Sequence, residues 1–193
     1  MSNIIIGGHS FKIKITSSEI QKAVSDIAKQ INTDLKNKNP LFLCVLNGSF
    51  MFVADLVKQV KIECGVSFVK LSSYEETSST AQIRELIGIN EDIKGRTVVI
   101  VEDIVDTGET IQFVYDQLKK LNAAEIKIAS LLFKPEAYLK SLPIDYTAIV
   151  APNDFLVGYG LDYKGHGRNL PDIYVLDYEE DEKLKLKTKK INK

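Results

Sequence analysis

Long hydrophobic runs are missing from this sequence: no apolar stretch approaches the ~18 residues needed to cross a bilayer. An excess of one charge is missing too. Lys and Arg number 25 against 26 Asp and Glu, a net charge of −1, so no global positive field exists to hold nucleic acid or an anionic membrane. Cysteine is nearly absent. Cys44 and Cys64 are the only two, and Cys44 lies inside the apolar run LFLCVL, where a free thiol acts as a small hydrophobe. The N-terminal stretch MSNIIIGGHSFKIKIT lacks the basic start, long apolar segment and small-residue cleavage site of a secretory signal. Together these features predict a reduced, cytoplasmic protein. Histidine is scarce, and neither His9 nor His166 is read as catalytic; His166 reads as an exposed loop residue. No internal repeat is visible. What remains is 45% apolar and 26% charged residues in a 193-residue chain, enough for one domain with a sizeable core and at most a small appendage.

The periodicity predicts an amphipathic helix over 17–38, with Ile20, Val24, Ile27, Ile31 and Leu35 at steps of three and four. Ser18 and Gln21 have the spacing of a capping box, and Asn37, Asn39 and Pro40 stop the helix. LFLCVL (41–46) reads as a buried strand, NGS as a turn, and 49–60 as a second helix. Further strands are expected at 66–74, 96–103, 125–134 and 146–152, with IRELIGIN as a returning strand. A helix over 109–121 places Ile111, Val114, Tyr115, Leu118 and Leu121 on one face. Apolar strands alternating with amphipathic helices predict an α/β fold with a mostly parallel sheet covered on both faces. Beyond Pro135 the chain becomes short-segmented and rich in Gly, Pro and aromatics, which reads as a smaller cap. The expected division is a core over 17–134, a cap over 135–177 and a charged tail over 178–193. The tail sets four acids before six lysines and reads as a solvated terminal helix or a frayed end.

One segment breaks the pattern of neutral strand ends. VVIVEDIVDTGETIQ (98–112) runs from a buried strand straight into Glu102, Asp103 and Asp106, although carboxylates resist leaving water. In a parallel α/β sheet, ligands bind beyond the carboxyl ends of the strands. There, DTGET has the small residue and the hydroxyls of Thr107 and Thr110 that let backbone N–H groups wrap a phosphate, helped by the helix dipole. Gly108 permits close backbone approach. The acids would repel a phosphate, so they must face hydroxyls, a metal ion or a proton to be removed. A sugar phosphate meets these demands, with Mg²⁺ between carboxylates and a diphosphate.

VVIVEDIVDTGETI resembles the phosphoribosyl diphosphate-binding motif of the type I purine phosphoribosyltransferases, and most of all the hypoxanthine(-guanine) branch. The resemblance continues through LCVLNGSFMFVADL, LSSYEETSST, ASLLFKPEAY, NDFLVGYGLDY and GRNLPDIYVL, in the family's order and spacing. It implies the type I phosphoribosyltransferase fold with a small C-terminal hood. It further implies that Glu102 and Asp103 bind the ribose hydroxyls and help organise Mg²⁺, and that Asp106 accepts the purine N7 proton. The backbone of Asp106, Thr107, Gly108, Glu109 and Thr110, with the two threonine hydroxyls, would hold the 5′-phosphate; the Glu109 side chain receives no role. Asn47 and Gly48 would offer N–H groups to the diphosphate, after a peptide bond that is commonly cis in the family. Many relatives carry Lys where this chain has Asn47. Lys134 matches the donor to the purine 6-oxo group, Phe155 the aromatic that stacks on the base, and Leu156 a backbone contact to it. Asp162 matches a Mg²⁺ ligand with its backbone near the purine 2-position, and Arg168 matches an arginine that meets the diphosphate. The stretch KGHGRNLP around Arg168 is glycine-rich where many relatives are aromatic.

The implied reaction is displacement of diphosphate from C1 of phosphoribosyl diphosphate by N9 of a 6-oxopurine. The implied partners are these small molecules, with no nucleic acid or membrane, in a homodimer or homotetramer. Residues 72–82, with Ser73 and Tyr74, are the expected lid that keeps water from the activated ribose. Two alternatives stand beside this reading. A xanthine- or adenine-specific phosphoribosyltransferase would share the loop and differ in the cap, although Lys134 with Phe155 and Asp162 disfavours adenine. A nucleic-acid-binding regulator using the same site as a sensor would need a basic surface, and only the lysine tail offers one.

Overall fold

The protein, seen in a computed structural model, is described over residues 3–74 and 82–191. Its main sheet has six strands: β3 (Leu41–Leu46), β4 (Gly65–Tyr74), β5 (Gln82–Ile87), β6 (Thr97–Val105), β7 (Glu125–Phe133) and β8 (Tyr146–Val150), in the order β5-β4-β3-β6-β7-β8. All neighbours are parallel except the edge pair β4/β5. The apolar run LFLCVL becomes a central strand because both of its faces are covered. Phe42 and Cys44 pack under α1 (Ser17–Asp34) and α2 (Phe50–Val57), while Leu41, Leu43 and Val45 meet α3 (Glu109–Lys120) on the other side. The five apolar positions expected on the first helix are all buried. On α3, Ile111, Val114 and Leu118 are buried, whereas Leu121 caps the helix and is exposed.

Two local expectations need correction. The capping box of α1 is formed by Thr16 and Glu19, not by Ser18 and Gln21. Thr16 has extended backbone and exchanges bonds with Glu19 at 2.8 and 3.4 Å, whereas Ser18 already lies inside the helix. The helix also ends at Asp34, short of 38, because Asn37 and Asn39 take left-handed backbone. Within the segment expected as the lid, Ser73 and Tyr74 pair with Ile83 and Gln82 in the β4/β5 arm. The middle of that segment, 75–81, lies outside the described residues.

A second, antiparallel sheet covers the strand ends. It is ordered β1-β2-β10-β9, from β1 (Ile4–Ile6), β2 (His9–Ile15), β9 (Leu156–Val157) and β10 (Ile173–Leu176). Both chain ends therefore build the hood, around a small core of Ile6, Phe11, Val157 and Tyr174. β8, inside the segment expected to be cap, belongs to the main sheet instead. The acidic tail forms α4 (Tyr178–Ile191), and its first turn is not merely solvated. Asp181 is buried, accepts the Ser10 N–H at 3.1 Å and stands 3.1 Å from His9 Nδ1, docking the helix on β2.

Candidate active site

The chain visits β3, then β4 on one side, then crosses back to β6 on the other, so β3 and β6 flank the point where the strand order reverses. Ligands bind at such a point in open α/β sheets. A cavity of about 420 Å³ opens there. The loop after β3 supplies Asn47 and Gly48 to its wall, and the end of β6 supplies Glu102, Asp103, Asp106 and, one turn on, Thr110. Lys134 comes from the end of β7, and the hood closes the far side with Phe155, Leu156, Asp162 and Arg168. Thus the loops after β3, β6 and β7 converge because parallel strands end on one edge, and the hood folds over them.

Thr107, Gly108 and Glu109 complete the loop between Asp106 and Thr110 without lining the cavity. Gly108 adopts left-handed backbone (φ 84°) as the N-cap of α3, and a Cβ there would stand 2.4 Å from the Tyr138 ring. Among the described residues no side chain caps α3, so the N–H groups of its first turn are left for an anion. The Glu109 carboxylate pairs with Lys140 at 2.5 Å. Ser73 and Tyr74 are the last two residues of β4.

Glu102 and Asp103 are each only 8% exposed. Burial raises the Glu102 pKa well above the usual carboxylate range, and the neighbouring Asp103 charge adds to it. Burial likewise raises Asp103, against hydrogen bonds from Glu102 and from the Ile104 N–H at 3.0 Å and the pull of Arg168. Two adjacent acids that cannot both ionise cheaply need a cation or hydroxyl groups to relieve them. Glu102 Oε2 is buried and has no hydrogen-bond partner among the described residues, which marks the place such a group would take.

Asp106 is half-exposed and accepts from the buried Lys134 ammonium at 3.1 Å. Lys134 is placed by its N–H bond to Val105 O at 2.9 Å, which extends the β6/β7 ladder to the cavity rim. Phe155 is 51% exposed, its ring edge-to-face with Tyr163 at 5.7 Å, a flat apolar surface left for a planar ligand. Arg168 donates to Asp162 at 2.5 Å and to Gly160 O at 2.6 Å, and Asp162 also accepts the Gly165 N–H at 2.6 Å. The residue expected to hold metal and the one expected to hold diphosphate therefore hold each other. The Leu46–Asn47 peptide bond is cis.

The sequence also predicts family membership, and comparison with known proteins decides it. Residues 15–164 match the phosphoribosyl transferase domain family. The chain belongs to that family. Among curated relatives, the hypoxanthine-guanine phosphoribosyltransferase of Streptococcus pneumoniae is 43% identical over 169 residues, 87% of this chain and 94% of that protein. The enzyme of the same name from Streptococcus pyogenes serotype M3 is 39% identical over the same span. Solved phosphoribosyltransferases agree in fold. A hypoxanthine phosphoribosyltransferase from Staphylococcus aureus has a TM-score of 0.82 at 31% identity, covering 87% of this chain and 92% of that one. A hypoxanthine-guanine phosphoribosyltransferase from Bacillus anthracis gives 0.82 at 34% identity, covering 86% and 98%.

Sequence reasoning missed Gly160 and Tyr159. Gly160 has φ 99°, and a Cβ on it would lie 2.0 Å from Gly48 O, so the hood can touch the β3 loop only through a glycine. The signal was present as the GYG triplet, but its partner lies more than a hundred residues earlier.

Proposed function

We propose that this protein is a Mg²⁺-dependent purine-salvage enzyme. It transfers the 5-phosphoribosyl group from phosphoribosyl diphosphate to N9 of hypoxanthine, and of guanine, giving the nucleoside monophosphate and diphosphate. The observation that carries the reading is the meeting, at one switch point, of a buried acid pair, an Asp106–Lys134 pair and an exposed Phe155 ring. Family membership supports the same reading.

In the reaction N9 attacks C1 of the ribose while the bond from C1 to the diphosphate oxygen breaks. The N7 proton of the purine passes to the Asp106 carboxylate, which makes N9 the better nucleophile. Glu102 and Asp103 hold the ribose hydroxyls and set negative charge beside the oxocarbenium character growing at C1. The Asn47 and Gly48 N–H groups and Arg168 take up the charge of the departing diphosphate. The loop Asp106–Thr110 holds the 5′-phosphate. Phe155 stacks on the base, and Leu156 fixes its edge.

The donor set suits Mg²⁺. This ion takes one or two carboxylates, keeps several waters and draws its other ligands from substrate phosphates rather than from an all-protein cage. Among the described residues no group of three His, Cys, Asp or Glu side chains is placed to hold a metal, while the partnerless Glu102 Oε2 offers hard oxygen. Asp162 would hold the ion directly, with Glu102 and Asp103 helping in part through its waters, and the ion when bound would supply electrostatic stabilisation to the leaving diphosphate. Asp162 would do so only by loosening its bond to Arg168, so metal and diphosphate would separate that pair together.

The partners are small molecules, in a cytoplasmic homodimer or homotetramer. Among the described residues no helix is long and apolar enough to cross a membrane. The half-exposed Val66 and Phe68 beside α2, with exposed Phe50, support self-association.

Base choice tests the reading of Lys134. Its ammonium only donates, so it suits a 6-oxo group and not a 6-amino group. Lys134→Ala is expected to cost hypoxanthine kcat/KM roughly 10- to 150-fold relative to adenine, the loss of one charged hydrogen bond. Taking the ratio of the two bases removes the effect of leaving Asp106 without its partner. An unchanged hypoxanthine-to-adenine ratio would refute the assignment.

A further inference from the structure

Tyr159 is not among the residues lining the cavity, yet it is buried and hydrogen-bonded. It is only 2% exposed and has left-handed backbone (φ 48°), a conformation that L side chains avoid unless their surroundings fix it. Its hydroxyl donates to Asp55 Oδ2 at 2.7 Å, on α2. Gln21 Nε2 donates to the same oxygen at 2.5 Å, and Lys58 Nζ donates to Asp55 Oδ1 at 3.1 Å. Burial pushes the Asp55 carboxyl up, but these hydrogen bonds outweigh it and leave the group below its usual range. Asp55 is thus an ionised acceptor fixed from three sides.

What the tyrosine holds is the turn on which Arg168 depends. The Gly160 N–H donates to Arg168 O at 2.9 Å, and Arg168 Nη1 returns a bond to Gly160 O at 2.6 Å. Gly160 in turn packs on Gly48 O, so closely that a Cβ would lie 2.0 Å away. The helix carrying Asp55 begins directly after Gly48. One end of α2 therefore follows the β3 loop, and its last turn, through Asp55, anchors the hood turn that presents Arg168.

We propose that Tyr159, through Asp55, is a positioning residue for the diphosphate: it sets the distance between the Asn47–Gly48 loop and Arg168. The inference rests on the diphosphate role given to those residues above. It assigns no contact between Tyr159 and substrate. A lost hydroxyl should therefore be felt by the diphosphate and not by the base.

Tyr159→Phe keeps the buried ring and removes the bond. Asp55→Ala is the second variant, since it removes the acceptor and leaves the ring untouched. For each, steady-state constants are measured with phosphoribosyl diphosphate and with hypoxanthine, and the affinity for magnesium diphosphate is measured by calorimetry. Both variants should raise the KM for phosphoribosyl diphosphate and the Kd for magnesium diphosphate about tenfold. The KM for hypoxanthine should stay within about twofold. The double variant should be no weaker than either single one, and Asp55→Asn, which keeps an acceptor oxygen, should recover most of the loss. Equal rises for both substrates, or a lowered melting temperature with unchanged diphosphate affinity, would overturn the inference. If the wild-type protein forms no nucleotide but its diphosphate affinity still depends on Tyr159, the positioning stands and the proposed reaction falls.

Discussion

Asp106→Asn is expected to lower kcat by about 10²–10⁴-fold, the usual contribution of a general base, while phosphoribosyl diphosphate binds almost as before. The asparagine keeps the size of the side chain and can still accept from Lys134 Nζ, now 3.1 Å from the carboxylate. It cannot take a proton. Asp106 stands one residue past β6, half-exposed at the cavity rim, where a purine on Phe155 would present its five-membered ring. Glu102 and Asp103 are too deeply buried to replace it there. Single-turnover measurement separates this loss from slow product release. A variant that retains most of its turnover would remove Asp106 from the mechanism.

Gly48→Ala should be nearly as damaging, for a reason of space alone. Its added Cβ would lie 1.6 Å from Asp103 Oδ2 and 2.4 Å from Asp103 Cγ. Asp103 is buried and bonded to the Ile104 N–H, so it has little freedom to turn aside. Either the β3 loop retreats or the carboxylate leaves its place, and the hood loses its seat where Gly160 meets Gly48 O. Misplacement by ~1 Å can cost about 10²-fold in rate, so kcat/KM should fall at least about a hundredfold while the far-ultraviolet circular dichroism stays native. Gly95→Ala is the matching control. Nothing lies within 4 Å of a Cβ at Gly95, although its φ is 73°, so a modest loss of stability with near-normal kcat/KM is expected. Equal kinetic effects at both positions would show that a general loss of stability, not the approach to Asp103, lies behind the Gly48 result.

The sheet was legible because its strands are short apolar runs with helices of clear 3.6-residue periodicity between them, patterns set by local burial. The acid-rich end of β6 was legible because burying carboxylates makes no structural sense without a ligand. The hood was harder. β2 (HSFKIKI) pairs with β10 across some 160 residues, Ile15 opposite Ile173 and Phe11 opposite Leu176, and no local pattern names a partner that distant. The capping box was misplaced because Ser18 and Gln21 have suitable spacing too. The choice of Thr16 depends on where Asp172 and Asp55 take up the Ser17 N–H and Gln21 side chain. The Asp162–Arg168 bond and the contact of Gly160 with Gly48 are likewise products of the hood folding onto the sheet, invisible to any reading of spacing.

The central claim is tested most directly by supplying the wild-type protein with phosphoribosyl diphosphate and each of hypoxanthine, guanine, xanthine and adenine in turn, with Mg²⁺ and again with excess chelator. Nucleotide and diphosphate should appear in equal amounts with hypoxanthine and guanine. Adenine should react at least about a hundredfold more slowly, because Lys134 would face a 6-amino group and go unpaired. Chelation should abolish turnover with every base. Nucleotide formed fastest from adenine, undiminished turnover without divalent metal, or no nucleotide from any of the four would contradict the account.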